Sequence, residues 1–418
     1  MKDPTKRRHI LCVASNFPRW KGDSTTPFVL HLAQDLQKLG WEITVLAPHA
    51  PGTQSNETLD GVRIKRFRYL WPERLETVCY HGGMLVNLRN NPFDYIKIFP
   101  FLLLETFNII RELLTQQYSL LHTHCLLPQG FTGVIANLIC KIPHITTIHG
   151  SDIFALRNPL FLLCKRFTLK HVDATTVNSS VAEHATQELL SKPLRILRRI
   201  PMGVAQTLAV PRSTSAKLRN RYRRGNGPLI IFVGRLVMEK GVDDLLKAIG
   251  LLIPKLPDIT AIIIGEGQDK LLFSSLAEKL GIANQVSFPG WVTAEELPSW
   301  YQAADIFVGP SKRSPEGWIE AQGLTFIEAL MAGIPVIATR SGGIIDSIHH
   351  EETGLLVNEN APEEIAAAME RIHTDKNLTQ QLITKGKTLA ANNFSRQSSA
   401  ASFSALFDEV LKNRCPTP

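Results

Sequence analysis

The chain predicts an α/β protein of two doubly wound domains, and three observations predict it. Short β-rich runs alternate with amphipathic helical stretches from end to end. A polar, basic, breaker-rich segment at 206–228 interrupts that alternation, which then restarts. With 418 residues, the chain also exceeds what one hydrophobic core usually serves.

The elements follow in order. In the first half "HILCVAS", "EITVLAP", "SLLHTHC", "HITTIHG" and "DATTVNS" read as strands ending in Gly, Ser, Cys or Pro. The stretch "TPFVLHLAQDLQKLG" between the first two reads as a helix, with apolar residues at 28, 29, 32, 33, 36 and 39 and Gly40 as its stop. After the segment "AQTLAVPRSTSAKLRNRYRRGNGP" come "PLIIFVGR", "ITAIIIGEG", "QVSFPG", "DIFVGPS" and "PVIAT", and the last fifty or so residues read as helices only. The expected organisation is therefore a Rossmann-like domain over 1–205, a linker over 206–228, a second such domain over 229–390, and a C-terminal helix over 391–418 packing back toward the first domain. Ligands bind at the carboxyl ends of parallel strands, so a cleft with facing strand ends is the expected site.

Hydrophobic residues at 44% and charged residues at 20% are those of a soluble globular protein. The six cysteines (12, 79, 125, 140, 164, 415) form no CxxC pair, which suits a reducing compartment and argues against a disulfide framework or a zinc site. The N-terminal apolar run is too short for a signal h-region, and no run approaches a membrane span, so a cytoplasmic protein is expected. The charge is uneven: 24 basic against 15 acidic residues over 1–205, but 22 against 23 over 206–418. Runs such as "RIKRFRYLWPERL" suit an anionic lipid surface or acceptor as well as a merely solvated face, and no nucleic-acid motif accompanies them.

Chemistry concentrates in "SPEGWIEAQGLTFIEALMAGIPVIAT". Gly323 follows a loop, the sequence turns helical from Leu324, and Gly333 with Pro335 ends the helix. Glu320 then lies on the loop and Glu328 about one turn inside. The free amides of 323–325 favour an anion. A ligand with phosphate at its centre and hydroxyls at either end fits, as in a nucleoside diphosphate sugar. Glu328 has only apolar helical neighbours, where an unpaired carboxylate costs several kcal/mol, on the order of a buried-ion penalty; a structural carboxylate satisfied by backbone or arginine is the plainer alternative. In "FVGRLVMEKGVDDLLKAI", Gly234 and Arg235 end a strand while Lys240 and Gly241 lead into a helix, which suits a diphosphate gaining charge as its bond to a sugar breaks. Taken alone, Arg235 and Lys240 are ordinary surface charges. "IIIGEGQ" has too few glycines for a dinucleotide fingerprint.

Together these stretches resemble retaining glycosyltransferases of family 4, which have the two-domain GT-B fold. "EAQGLTFIE" is similar to the family's E-x7-E signature and "GRLVMEKG" to its G-R-x4-K-G stretch; "FPRWKGDSTTPFV", "LHTHCLLPQG", "TTIHGSD" and "PMGV" also match in order. The resemblance implies that Glu320 holds donor-sugar hydroxyls and Glu328 the ribose hydroxyls. Arg235 and Lys240 would neutralise the diphosphate, with backbone at Gly234, Gly323, Leu324 and Thr325, and Gly22 would let the first loop approach it. His149 would sit beside the transferred sugar with Asp152 near, and His124 has a weaker case. A histidine at a strand end is otherwise a capping or packing residue. Where relatives read G-G-x-P-E, this chain has "SGGIID", so only Gly342 and Gly343 carry over, weakly. Trp291 and Val292 are positional guesses for base contact.

The function so implied is retaining transfer of a hexose from a nucleoside diphosphate sugar, UDP-hexose preferred and GDP-mannose next. The acceptor would be a saccharide or lipid-linked molecule of surface polysaccharide or lipopolysaccharide synthesis, with peripheral contact at an anionic inner membrane face. No nucleophile for double displacement is singled out, no metal cluster is evident, and no cofactor is expected. A nucleotide-sugar epimerase, a hydrolase using Glu320 and Glu328 as its acid pair, and a catalytically silent nucleotide-sugar sensor are the rivals.

Overall fold

The computed structural model describes residues 8–23, 25–80, 82–206, 211–315 and 317–414. Cys415, positions 207–210 of the expected linker and the end of the expected C-terminal helix lie outside them. The chain divides into two compact units, one of Met1–Gly203 with Arg396–Pro418 and the other of Val204–Ser395.

The first unit is built on strands β1 (His9–Val13), β2 (Glu42–Pro48), β3 (Asn56–Leu59), β4 (Val62–Phe67), β5 (Leu120–His124), β6 (His144–Ile148), β7 (Ala174–Val177) and β8 (Leu197–Arg199). They form one eight-stranded sheet in the order β3-β4-β2-β1-β5-β6-β7-β8. All neighbours are parallel except the β3–β4 hairpin at the edge. The order reverses at β1, which pairs Ile10 with Ile43 on one side and with Leu120 on the other. That reversal is where a doubly wound sheet opens a crevice. Helices α1 (Pro27–Lys38), α2 (Met84–Asn90), α3 (Tyr95–Thr115), α4 (Phe131–Cys140), α5 (Ser151–Phe154), α6 (Pro159–His171) and α7 (Ser180–Glu188) connect the strands. Gly40, at φ 86°, stops α1 as its sequence position foretold.

The second unit carries β9 (Leu229–Val233), β10 (Thr260–Ile264), β11 (Val286–Gly290), β12 (Ile306–Gly309), β13 (Val336–Thr339) and β14 (Leu355–Val357), all parallel, in the order β11-β10-β9-β12-β13-β14. Its helices are α8 (Arg212–Tyr222), α9 (Val242–Leu252), α10 (Lys270–Lys279), α11 (Leu297–Ala303), α12 (Leu324–Ala332), α13 (Pro362–Thr374) and α14 (Lys376–Asn393). Alternate residues of β9 enter opposite cores: Ile230 and Phe232 pack with Leu245 and Ile249 of α9, while Leu229 and Ile231 pack with Phe326 and Leu330 of α12. Apolar runs without alternation are what a sheet covered on both faces requires. The last helix, α15 (Arg396–Arg414), belongs to the first unit.

The expected linker is corrected. The units part at Gly203, and within 206–228 the structure forms α8, an element of the second unit. Arg219 of α8 donates to the Ala303 carbonyl and the Asp305 carboxylate, both at 2.7 Å, and the Tyr222 and Trp300 rings meet at 5.5 Å. A helix with no fully buried residue has little hydrophobic period to read, so its polar composition passed for a linker. The second return, at Ser395, falls five positions beyond the expected boundary at 390.

Candidate active site

In the second unit the site begins where β9 runs into Gly234 and Arg235. The loop after β10 lies against this turn. A Cβ on Gly265 would fall 1.9 Å from the Gly234 carbonyl oxygen, and one on Gly267 would fall 2.2 Å from that of Leu236. The Leu236 amide donates to Glu266 O at 2.9 Å, and the Asp269 amide donates to Leu236 O at 3.0 Å. The glycines of "GEG", given little weight in the sequence, are therefore what lets two backbones touch. Arg235 is exposed, and among the described residues its side chain makes no hydrogen bond or ion pair.

A short 3-10 turn, Met238–Lys240, leads to Gly241 and α9. Gly241 sits at φ 68°, and a Cβ there would fall 1.9 Å from the Pro310 carbonyl oxygen. Lys240 is thereby aimed at Glu320, with which it forms an ion pair, its Nζ lying 5.2 Å from the centre of the Trp318 ring. The two side chains are only 17% and 13% exposed. Glu320 is fixed by its backbone as well. Its carbonyl accepts from the Gly343 amide at 2.8 Å, and a Cβ on Gly342, at φ 53°, would fall 2.0 Å from the same oxygen. Gly342 and Gly343, the weakest carry-overs from the sequence, thus brace the loop that carries Glu320.

Three residues further, Gly323 adopts φ 75° and opens α12, and no side chain caps it. The amides of the first turn, with Leu324 and Thr325 half-buried, give that end its positive potential. Glu328 follows one turn inside. Tyr301 of α11, itself buried, donates its hydroxyl to Glu328 Oε2 at 2.9 Å. The other carboxyl oxygen has no hydrogen-bond partner among the described residues. Burial pushes the Glu328 carboxyl up to about 7, against the lowering effect of the Tyr301 hydrogen bond. The sequence reading missed Tyr301; the signal was a buried phenol in "LPSWYQAAD", which needs a partner for its hydroxyl. The positional guesses gain no such support: Trp291 is exposed after β11, and Val292 is half-buried against the core of the second unit.

The first unit holds a separate cluster at the carboxyl ends of β5 and β6. His124 Nδ1 and His149 Nε2 are 2.9 Å apart, with the rings stacked at 5.2 Å and 8°. One nitrogen of the pair carries the shared proton and the other accepts it. Burial lowers both imidazoles, His149 less because of the nearby Asp152 carboxylate. Asp152 is buried and accepts from three backbone amides, Leu126 at 2.7 Å, Gly150 at 2.9 Å and His149 at 3.1 Å. It therefore ties together the loops after β5 and β6. Gly22 has nothing within 4 Å of where a Cβ would stand, so its φ of 81° serves the turn, not a close approach.

The structure also groups Cys12, His122 and His124, whose ligand-type atoms lie within 4.8 Å of one another. Spacing could not reveal this, because Cys12 comes from the neighbouring strand. His122 Nε2 is bonded to Thr147 Oγ1 at 2.7 Å, His124 Nδ1 is engaged with His149, and burial pushes the Cys12 thiol up to about 12. Ile10, Val29, Leu32 and Ile43 surround the group, an environment that suits packing more than a cation.

Two doubly wound parallel sheets in one chain, the second with its charged pair at the strand ends, define the class: the fold is GT-B. A sucrose-phosphate synthase from Thermosynechococcus elongatus has the same fold, with a TM-score of 0.78 and 22% identity over 97% of this chain and 100% of that one. Residues 25–201 match the family described as "Glycosyl transferase 4-like domain", and residues 215–389 match "Glycosyl transferases group 1". A "GDP-mannose-dependent alpha-(1-6)-phosphatidylinositol monomannoside mannosyltransferase" of Mycolicibacterium smegmatis is 30% identical over 64% of this chain and 70% of its own length. The protein of the same description from Mycobacterium tuberculosis H37Rv is 32% identical, and there the match spans 56% of this chain and 60% of the relative. The chain belongs to the group 1, family 4-like glycosyltransferases.

Proposed function

We propose that the chain transfers a hexosyl group, with retention of anomeric configuration, from a nucleoside diphosphate sugar to a saccharide or lipid-linked acceptor. The single observation that carries this reading is the Lys240–Glu320 pair beside an uncapped helix start, with the half-satisfied Glu328 one turn inside. In this reading the diphosphate meets the amides at Gly323, Leu324 and Thr325, and Lys240 with Arg235 neutralises the charge it gains. Glu320 exchanges part of its bond to Lys240 for sugar hydroxyls, and the free oxygen of Glu328 accepts from the ribose. The bond from the anomeric carbon to the β-phosphate oxygen breaks, and a bond to the acceptor oxygen forms on the same face. The leaving phosphate takes the acceptor's proton. No metal or other cofactor is needed in this scheme, because the two cations supply the positive charge.

The order of donors changes. Both named relatives are described as GDP-mannose-dependent and as acting on a phosphatidylinositol mannoside, which supports GDP-mannose ahead of UDP-hexose and a lipid-linked acceptor. A cytoplasmic location at the inner membrane face, and a role in surface polysaccharide or lipopolysaccharide synthesis, belong to the same proposal.

The test is thermal shift with GDP, UDP and ADP on the wild type and Glu328→Ala, since a ligand of the native state raises Tm by mass action. One nucleotide is expected to stabilise the wild type, with most of that gain lost in the variant. No stabilisation by any of them would sink the donor reading. A second arm uses the matching nucleotide sugar, whose diphosphate does not titrate near neutrality. Ribose hydroxyls need the carboxylate, and Glu328 holds its proton until about 7, so affinity should rise as pH increases through 7. Glu328→Gln should be flat. Nucleotide release only in the presence of acceptor separates transfer from epimerisation or hydrolysis, and absence of any turnover would leave the silent sensor.

A further inference from the structure

The outer surface of α3 is inverted. A surface helix ordinarily turns its polar side chains outward, yet here Ile96, Phe99, Leu103, Phe107 and Leu114 are 56–77% exposed. Their spacing of three, four, four and seven residues makes one continuous stripe along the helix. The carboxylates of the same segment face inward. Asp94 bonds Thr77 and Lys97, Glu105 bonds Gln129 and Thr132, and Glu112 bonds Lys65. The pattern extends beyond α3. From residue 77 to residue 172 the acidic residues are Asp94, Glu105, Glu112 and Asp152, and all four are buried. Over the same span Arg89, Arg111, Lys141, Arg157, Arg166 and Lys170 are exposed. The neighbouring helices continue the apolar surface through Leu138 and Ile139 of α4 and Leu160 and Leu163 of α6.

We propose that this face of the first unit, centred on α3, docks on an anionic lipid leaflet, with the α3 stripe entering the acyl boundary and the surrounding cations meeting the headgroups. Charge complementarity selects the occupant: a surface of apolar side chains with exposed cations and no exposed carboxylate fits anionic lipid, whereas a second copy would bring like charges together. No helix among the described residues is long and apolar enough to cross a membrane, so α3 lies along the surface. The run "RIKRFR", the basic segment that the sequence put forward for such a contact, is less free for it than the α3 face. Each of its cations has a carboxylate partner, Arg63 with Glu42, Lys65 with Glu112, Arg66 with Glu57 and Arg68 with Glu76. This proposal deepens the acceptor half of the proposed function and makes no use of the donor half.

Vesicle flotation tests it on the full chain, comparing phosphatidylglycerol–phosphatidylethanolamine vesicles with pure phosphatidylcholine. The wild type is expected to float with the anionic vesicles, less so at high salt. Phe99→Ser/Phe107→Ser should bind roughly a hundredfold more weakly, since each buried phenyl is worth about tenfold or more in partitioning. Both rings are exposed, so the variant should melt with the wild type and keep its nucleotide-induced shift. Loss of that shift in the wild type would refute the donor reading and leave the vesicle result intact. The proposal is overturned if the wild type stays unbound or the double variant floats equally well. It is overturned too if the wild type sediments as a dimer that the variant breaks, which would make a second copy the occupant.

Discussion

Glu105 and Glu328 are both helical and both pushed by burial up to about 7. Their neighbours separate their roles. Glu105 has each oxygen bonded, to Gln129 at 2.9 Å and Thr132 at 2.8 Å, and is a satisfied structural group. Glu328 has one oxygen without a hydrogen-bond partner among the described residues. The unfolded chain releases the Glu105 proton near 4.5, while the fold holds it until about 7. Its contribution is therefore fully present below 4.5 and is lost as pH rises through 7. Glu105→Gln should remove on the order of 3 kcal/mol of that pH dependence between pH 4.5 and 8. Parallel melts of variant and wild type would show it, the buried histidines cancelling in the difference. Identical pH profiles would refute the assignment. At this scale the sequence exposed Glu328 as an anomaly in an apolar run and gave no such notice of Glu105, and it could not say which carboxylate was satisfied. The deciding partners, Tyr301 and Gln129, lie 27 and 24 residues away in the chain.

Loops set the candidate site, and glycine sets the loops. Gly22 and Gly342 both sit at positive φ, but only Gly342 is also in contact, with its Cβ position 2.0 Å from the Glu320 carbonyl. Gly22→Ala should cost about 1 kcal/mol from backbone conformation alone. Gly342→Ala must in addition move the 320 loop, so it should cost about 1–3 kcal/mol and lower transfer strongly. Melting curves and a transfer assay on the two variants check this, and equal behaviour would show that the brace on Glu320 does not matter. Elements with a strong apolar signal were legible, α1 through its helical spacing and β9 and α12 through nearly unbroken apolar runs between glycine stops. Among the elements that escaped notice, the β3–β4 hairpin is short and α8 is weakly apolar, while α3 is long and apolar but hidden by Pro100 inside it. The β3–β4 hairpin announced itself only through the Asp60–Gly61 turn, both residues at positive φ, and α8 has no fully buried residue.

The first unit is completed by the last helix of the chain. α15 returns to the first unit, where Phe403 and Phe407 are fully buried, Phe407 meets the Trp41 ring edge-on at 5.4 Å, and Trp41 Nε1 donates to Ser404 Oγ at 2.9 Å. Ion pairs from Arg396 to Asp35 and Arg414 to Asp173 hold its two ends. Phe407→Ala should cost about 3–5 kcal/mol, the usual range for emptying a buried phenyl site. The expected readout is a lower Tm with the nucleotide-induced shift retained, because the proposed donor residues belong to the other unit. A variant melting with the wild type would show that α15 is dispensable to the first unit.

Alternation of strand and helix, apolar strands without a polar face, glycine stops and two glutamates in apolar company are local patterns, and the sequence by itself determined the architecture and most of the candidate site from them. Which cation meets which carboxylate was decided only by the tertiary structure. The cations of "RIKRFR" are paired with carboxylates and the stripe on α3 faces outward because burial and ion pairing join residues distant in the chain, and no local period records those partners.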